Sequence, residues 1–258
     1  MTGRIVGASV ERLEDRPLLR GEGRFVDDID FPGLLHAAVV RSEHAHAIIR
    51  SIDVSAARAA PGVMAAWTHA EIAPHLKDPL LRVALPSPAF KLELHRPALA
   101  AEETVHVGEA IAVVFADSRA RAEDAAALVK IDYAPLPAVV DCVAALDEAS
   151  PRAHSSAAHN VCAAFDMGYG DCGAAFSRAP HVFRETLFQH RGVAHSMEGR
   201  GVVANYDRLD ERLTLWDSTQ TPHAAKRYIC EMLGLDEDRL RVVTPDVGGG
   251  RSEEHTSE

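Results

Sequence analysis

The stretch that most constrains the fold runs from residue 110 to residue 135 and reads AIAVVFADSRARAEDAAALVKIDYAP. Its apolar start, Ala110–Ala116, predicts a buried strand. Asp117-Ser118 can cap a helix that continues to Leu128, because short polar side chains accept hydrogen bonds from the first N–H groups of a helix. Val129–Tyr133 predicts a second strand. The unit has about 24 residues, which is short for a crossover between parallel strands, so we expect an α+β layer of uncertain strand direction.

Short strands and turns precede this stretch. The sequence predicts strands at Leu34–Val40, Ile48–Val54 and Val63–Trp67, and a helical turn at Ser55–Ala60. Residues 74–103 contain five prolines and no clear period, which is typical of loops. The first half of the chain is therefore expected to alternate short strands with helices.

A region rich in Ser, Ala and His follows and predicts a linker with a domain boundary near residue 150. Before it, Ala138–Leu146 can form a closing helix. Beyond it, the periodicity predicts these helices and strands: helices Ala174–Arg178 and Thr221–Leu233, and strands Val182–Leu187, Gly201–Tyr206, Leu213–Ser218 and Leu240–Thr244. Gly234 is expected to end the longer helix.

Charge and composition exclude several classes of protein. The 258 residues carry 27 Lys and Arg against 38 Asp and Glu, a formal net charge of −11. This acidic balance argues against binding to the phosphate backbone of nucleic acids. Hydrophobic residues make up 47% of the chain, which argues against disorder. No uncharged stretch reaches the ~20 residues of a membrane span.

The cysteines and the N-terminus point to an intracellular chain. Cys142, Cys162, Cys172 and Cys230 contain no C-x-x-C pair, so we expect free buried thiols and neither a zinc nor an iron–sulfur site. The N-terminus has no apolar core of a secretory signal. We therefore expect a cytoplasmic location.

Two turns that follow predicted strands are candidate binding sites. Gly248, Gly249 and Gly250 can bring backbone N–H groups close to an anion, although taken alone a plain glycine-rich turn explains them better. The dinucleotide spacing G-x-G-x-x-G fails, because residue 253 is Glu. Gln220 lies between a predicted strand and the start of a predicted helix. Its amide can donate a hydrogen bond to an oxo or carbonyl group of a ligand, or the segment can have only the structural role of starting the helix.

Charged residues and histidines offer weaker candidates. Glu198 stands close to Arg200, which suggests a structural ion pair or a general base. His44 and His46 share one face of an extended segment and are a possible metal pair, but surface histidines explain them better because no third ligand follows at a suitable spacing. No G-x-S-x-G, H-E-x-x-H or P-loop occurs, so hydrolase and kinase interpretations lack support.

Six motifs follow one another along the chain: GEGRFVDDI (21–29), VHVGEAIAVV (105–114), RAEDAAALVKIDYAPLPAVV (121–140), MEGRGVVA (197–204), DSTQTPH (217–223) and DVGGG (246–250). In this order they resemble the N-terminal part of the molybdenum-binding large subunit of the xanthine dehydrogenase/aldehyde oxidase/aerobic carbon monoxide dehydrogenase family, of the carbon monoxide dehydrogenase type. The resemblance covers about residues 8–250. Each motif is weak alone, and their order makes the resemblance specific.

The resemblance implies an α+β fold in successive parts: an N-terminal segment (1–18), an aldehyde oxidase/xanthine dehydrogenase a/b hammerhead domain (19–150) and the start of a molybdopterin-binding α+β domain (151–250). It implies a molybdenum-dependent oxidoreductase that transfers water-derived oxygen to a carbon substrate or to carbon monoxide. The implied cofactor is molybdenum–molybdopterin, in its cytosine dinucleotide form. Because no iron–sulfur or flavin domain precedes residue 1, we expect an FAD-binding medium subunit and a 2Fe-2S small subunit, arranged as a dimer of heterotrimers.

The resemblance also assigns site residues. Gln220 would donate a hydrogen bond to an oxo ligand of molybdenum, and Gly248, Gly249 and Gly250 would open a glycine-rich loop against the cofactor. The dithiolene holds the metal in this family, so no side chain is expected to bind it. The family's catalytic glutamate lies near the far C-terminus, and Glu198 does not match its position. We therefore expect no catalytic residue in this chain.

The last eight residues, RSEEHTSE (251–258), depart from the family pattern, which continues with Phe and Gly. They resemble the translation of a sequencing-library adapter, so we expect a non-native tail on a truncated chain that neither retains the cofactor nor turns over. Two alternatives stay open: a non-catalytic hammerhead interaction module, and a nucleotide-binding enzyme built on Gly248–Gly250. The sequence does not determine the substrate.

Overall fold

The computed structural model describes residues 6–7, 9, 11–82, 87–189 and 196–249. The strands of these residues are β1 (His36–Arg41), β2 (Ala47–Asp53), β3 (Val63–Thr68), β4 (Leu80–Leu81), β5 (Arg96–Pro97), β6 (Glu103–Thr104), β7 (Ala110–Ala116), β8 (Lys130–Pro135), β9 (Val202–Asp207), β10 (Arg212–Asp217) and β11 (Leu240–Val243). The α-helices are α1 (Asp15–Leu19), α2 (Ser55–Ala59), α3 (His69–Ile72), α4 (Arg119–Ala126), α5 (Cys172–Arg178) and α6 (Pro222–Leu233). Short 3-10 turns lie at Val26–Asp28, Ala73–His75, Ala144–Leu146 and Glu237–Arg239.

The chain divides into two compact units. The larger unit comprises Gly33–Phe188 and Met232–Gly234, and the smaller unit comprises Met1–Pro32, Gln189–Glu231 and Leu235–Glu258. Both units mix helices with strands, which confirms the α+β class. None of the helices in the described ranges is long and apolar enough to cross a membrane.

The larger unit contains two three-stranded antiparallel sheets. Strand β7 lies at the centre of the first, in the order β1-β7-β3, and β2 lies at the centre of the second, in the order β6-β2-β8. Strands β7 and β8, which flank α4, therefore belong to different sheets and do not form a parallel crossover. This topology explains why the β7–α4–β8 unit can be short. A chain that passes from one sheet to another needs fewer residues than one that returns to lie parallel in the same sheet.

Helix α4 begins where the sequence predicts. The Ser118 hydroxyl accepts a hydrogen bond from the Arg121 N–H at 3.4 Å, and the helix buries Ala122 and Ala125. These small side chains let α4 pack closely, and the cluster around it is made of small residues: Val54, Ala57, Ala66, Ala112, Val114 and Ala125. Ile111 is fully buried in a second cluster with Ile49 and Ala100. Strand β7 thus supplies side chains to both clusters of the larger unit.

The smaller unit is built on one three-stranded sheet in the order β11-β10-β9. Strands β10 and β11 are parallel and are joined through α6, while β9 is antiparallel to β10. Leu215, Cys230 and Leu240 form the core of the unit, and burial raises the pKa of the Cys230 thiol. Gly234 follows α6 with φ +68°, a left-handed conformation that glycine adopts without strain, as predicted.

Three predictions about secondary structure and cysteine burial are wrong. Ala138–Leu146 forms only the short 3-10 turn, because the Asp141 carboxylate accepts the N–H groups of Val143 and Ala144 and fixes a turn there. Residues 182–187 form no strand, since none of the described strands pairs with them. Of the free cysteines, Cys230 is buried, but Cys142 and Cys172 are exposed and Cys162 is half-buried.

Candidate functional site

Three loops of the smaller unit meet at one edge of its sheet. In the parallel pair, Leu213 pairs with Leu240 and Trp216 with Val243, so the carboxyl ends of β10 and β11 lie side by side. Strand β9 runs the opposite way and starts at the same edge, where Val202 pairs with Asp217. Residues 196–201, 218–221 and 244–249 therefore surround the edge at which α/β sheets commonly bind ligands.

Gln220 lies in the second of these loops with an open side chain. It is exposed and forms no hydrogen bond within the described part of the chain. The backbone on either side is fixed, because the Ser218 N–H donates to the Gly201 carbonyl at 3.1 Å and the Thr221 N–H donates to the Thr219 hydroxyl at 3.1 Å. The Gln220 amide is thus free to bind a ligand while its main chain is held in place.

The glycine-rich loop follows β11 at the same edge. Gly248 and Gly249 are half-buried, and the Gly248 N–H donates to Oε2 of Glu198 at 2.7 Å. Just before them, the Thr244 hydroxyl is buried and has no hydrogen-bond partner among the described residues. Gly250 and the predicted non-native tail, residues 251–258, lie outside the described residues.

Acidic groups at this edge differ in their surroundings. Burial raises the pKa of the Asp217 carboxyl, which ends β10. Glu198 accepts backbone N–H groups and, where the chain is described, forms no ion pair with Arg200, whose side chain is exposed. The interpretation of Glu198 as half of an ion pair is therefore wrong, because Glu198 turns toward the glycine-rich loop instead.

His44 and His46 lie in the larger unit and are not surface residues. His46 is 6% exposed, and its ring nitrogens lie 2.8 Å from Oε1 of Glu103 and 3.2 Å from the Pro137 carbonyl. His44 is half-buried and packs edge-on against Tyr133. The preference for surface histidines is thus wrong, since the loop between β1 and β2 places the His46 ring against Glu103 and Pro137 and the His44 ring against Tyr133. The described residues contain no group of three or more His, Cys, Asp or Glu placed to hold a metal ion.

The edge of the smaller unit fits a cofactor that presents oxygen and nitrogen atoms for hydrogen bonding. Two uncharged polar groups at this edge, the Gln220 amide and the Thr244 hydroxyl, have no hydrogen-bond partner among the described residues. A shallow cavity in the larger unit is a weaker candidate, because its charged groups, Arg58 and Glu71, already pair with each other.

Sequence reasoning missed two residues that build this edge. The Arg24 N–H donates to Oδ2 of Asp246 at 2.8 Å, and the Asp246 N–H donates to the Arg24 carbonyl at 2.9 Å. The contact joins positions separated by 222 residues. No periodic pattern links positions so far apart, and the only signal was that both lie in glycine-containing motifs.

Comparison with known families and proteins gives a consistent result. Residues 20–137 match the model of the aldehyde oxidase and xanthine dehydrogenase a/b hammerhead domain, and residues 153–250 match that of the molybdopterin cofactor-binding domain. The chain is 39% identical over 251 residues to the nicotine 6-hydroxylase large subunit of Paenarthrobacter nicotinovorans, covering 97% of this chain and 30% of that protein. It is 34% identical to the carbon monoxide dehydrogenase large chain of Afipia carboxidovorans, covering 95% of this chain and 31% of that protein.

Solved structures agree. Quinoline 2-oxidoreductase from Pseudomonas putida 86 matches with a TM-score of 0.85 and 39% identity, over 95% of this chain and 30% of that chain. A Cu,Mo-CO dehydrogenase matches with a TM-score of 0.77 and 33% identity, over 95% of this chain and 31% of that chain. The chain thus spans less than a third of the length of these relatives. It belongs to the aldehyde oxidase and xanthine dehydrogenase family and corresponds to the hammerhead domain and the start of the molybdopterin cofactor-binding domain.

Proposed function

We propose that this chain is the N-terminal part of a molybdenum hydroxylase large subunit, whose parent transfers water-derived oxygen to a carbon substrate or to carbon monoxide. The observation that carries the proposal is the meeting of Gln220 and the glycine-rich loop at one sheet edge, inside the region that matches the molybdopterin cofactor-binding domain. When bound, a molybdenum–pterin centre supplies two-electron oxidation of carbon; the protein supplies binding and orientation.

Within this proposal, four residues of the chain have a role in binding the cofactor. The Gln220 amide donates to an oxo group of the cofactor, and Gly248, Gly249 and Gly250 allow its close approach. The cytosine dinucleotide form of the cofactor, an FAD-binding medium subunit, a 2Fe-2S small subunit and a dimer of heterotrimers belong to the same proposal. It is supported by relatives that are described as large subunits or large chains. The cytoplasmic location and the domain limits at residues 18, 150 and 250 stay predictions from the sequence.

We propose that the 258-residue chain by itself neither retains the cofactor nor turns over. The resemblance implies that the family's catalytic glutamate and most of its cofactor-binding loops belong to the part of the large subunit that follows the region matched by this chain. A hammerhead interaction module and a nucleotide-binding enzyme are the competing functions. A thermal-shift titration with NAD(P) tests the second, because a ligand that binds only the folded state raises Tm.

Elemental analysis of purified protein tests the main proposal. We expect stoichiometric molybdenum in a full-length parent recovered from the native gene, and none in the 258-residue chain. In the parent, Gln220→Ala should lower the molybdenum content or the rate of substrate oxidation, while Gln189→Ala, at the only other glutamine of the chain, should leave both unchanged. A parent that contains no molybdenum under molybdenum-replete growth would overturn the proposal.

A further inference from the structure

Glu198 connects three motifs that lie far apart in the sequence. Its Oε2 accepts the Gly248 N–H at 2.7 Å, and its Oε1 accepts the Val26 N–H at 3.3 Å. The backbone returns one of these contacts, because the Glu198 N–H donates to the Gly248 carbonyl at 3.3 Å. One carboxylate therefore holds the first glycine of the glycine-rich loop and the segment around residue 26 at the same time.

Close packing against Glu198 explains why residue 248 is glycine. A Cβ atom added at residue 248 would lie 2.5 Å from Cβ of Glu198 and 3.3 Å from its backbone nitrogen. Both neighbours belong to or sit next to the backbone of residue 198, so they cannot move away as the end of a flexible side chain could. Glycine is needed here for space between two backbones, independently of any ligand.

A second carboxylate reinforces the same connection. Asp246 lies two residues before Gly248. Its carboxylate accepts the Arg24 N–H at 2.8 Å, and its own N–H donates to the Arg24 carbonyl at 2.9 Å. Gly23 is tightly packed, since a Cβ there would lie 2.9 Å from Cδ2 of Leu18. Residues 246–248 are thus attached to residues 24–26 at two points, and Glu198 supplies one of them.

We infer that Glu198 is a positioning residue whose carboxylate sets the conformation of the glycine-rich loop before any cofactor binds. The inference rests on the proposed function only in identifying this loop as the cofactor loop. Hydrogen bonds to a charged acceptor are about twice as strong as neutral ones, so the carboxylate is suited to hold a loop that lacks side chains. Neither an ion pair with Arg200 nor proton transfer is needed to explain the residue.

Amide hydrogen exchange followed by NMR on the ¹⁵N-labelled 258-residue chain tests the inference. Glu198→Ala should speed exchange of the Gly248 and Val26 amides by at least about tenfold, the change that corresponds to losing one charge-assisted hydrogen bond. Glu198→Gln keeps one oxygen acceptor and should give a smaller increase, together with an upfield shift of the Gly248 amide proton. Glu211→Ala, which removes only an exposed ion pair with Arg239, is the matched control and should change neither amide.

The Leu215 amide, in the central strand of the same unit, reports whether a variant stays folded. If Leu215 exchange also rises in Glu198→Ala, that variant has lost part of its fold, and the Gly248 exchange rate in Glu198→Gln then tests the inference. Unchanged Gly248 exchange in whichever variant stays folded would overturn the inference. The result is independent of the proposed function, because a clamped loop in a parent without molybdenum would keep this inference and remove that function.

Discussion

Two stretches of the larger unit are each predicted from their sequence to contain a strand and a helix, but they differ in how far their apolar side chains are buried. Residues 110–135 place Ile111, Ala112 and Val114 at 0% exposure, between antiparallel strands and under α4. Residues 165–188 are all exposed except Ala174, although they include several large apolar side chains: Phe165, Met167, Tyr169, Phe176, Val182, Phe183, Leu187 and Phe188. An apolar pattern indicates only which side chains of a segment can be buried. Whether it does so depends on a neighbouring surface, and the second stretch has none among the described residues.

The largest expected effect separates the two stretches directly. Ile111→Ala should lower the free energy of unfolding by about 4 kcal/mol, because it removes a fully buried side chain and leaves a cavity. Leu187→Ala, at a side chain that is 91% exposed, should change it by less than about 0.5 kcal/mol. Urea denaturation monitored by circular dichroism measures both. Equal losses in the two variants would break the comparison.

The next effect concerns the polar interior beside the first stretch. His46→Ala should cost about 3 kcal/mol, because it removes a buried ring and leaves the half-buried carboxylate of Glu103 without this partner. Burial opposes ionisation of Glu103, but hydrogen bonds from Ser155 and His46 outweigh it and lower the pKa of the carboxyl. The control His44→Ala loses a ring contact with Tyr133 and should cost about 1 kcal/mol. The same urea titration decides, and a His46 variant as stable as the His44 variant would contradict the pairing.

Limited proteolysis compares the two stretches through their rates of cleavage. Trypsin should cut after Arg184, in the exposed stretch, at least about a hundredfold faster than after Lys130, because cleavage within a paired strand requires local opening first. Both side chains are exposed, so access to the side chain itself is matched. Mass spectrometry of the early fragments gives the order. Early cleavage at Lys130 would show that β8 is not held in its sheet.

The smallest effect is a pH dependence at the start of α3. The hydrogen bond from the Thr68 hydroxyl, helped by the Thr68 N–H and Arg58, lowers the pKa of the Glu71 carboxyl from 4.5 to about 2. Its stabilising contribution is therefore complete above about pH 5 and is lost as the pH falls toward 2. Glu71→Gln should cost about 1 kcal/mol at pH 7, after allowance for solvent screening.

Urea titrations of the wild type and Glu71→Gln at a series of pH values measure this dependence. The difference between them should shrink steadily as the pH falls from about 5 to about 2. Glu123→Gln, on the exposed face of α4, provides the control, with no such trend. A Glu71 difference that stays constant over this range would contradict the capping interaction.

Local signals in the sequence predicted most of the fold. Ser118 caps α4, Gly234 ends α6, and β7 follows its apolar run, because each depends on residues a few positions apart. The errors arose where a distant partner was decisive. Residues 182–187 have the pattern of a strand without a described neighbour, and Asp141 captures two N–H groups that a helix would have used otherwise.

For the candidate site, the sequence by itself predicted which residues are involved: Gln220 before a helix start and glycines after a strand, within motifs whose order resembles the family. Tertiary structure alone decided how they are arranged. The parallel pairing of β10 with β11 brings the two loops to one edge, and Glu198 meets Gly248 across 50 positions of sequence. The physical reason is that helix caps and apolar periods act over a few residues. A carboxylate that binds a backbone N–H from another motif is fixed only when the chain has folded.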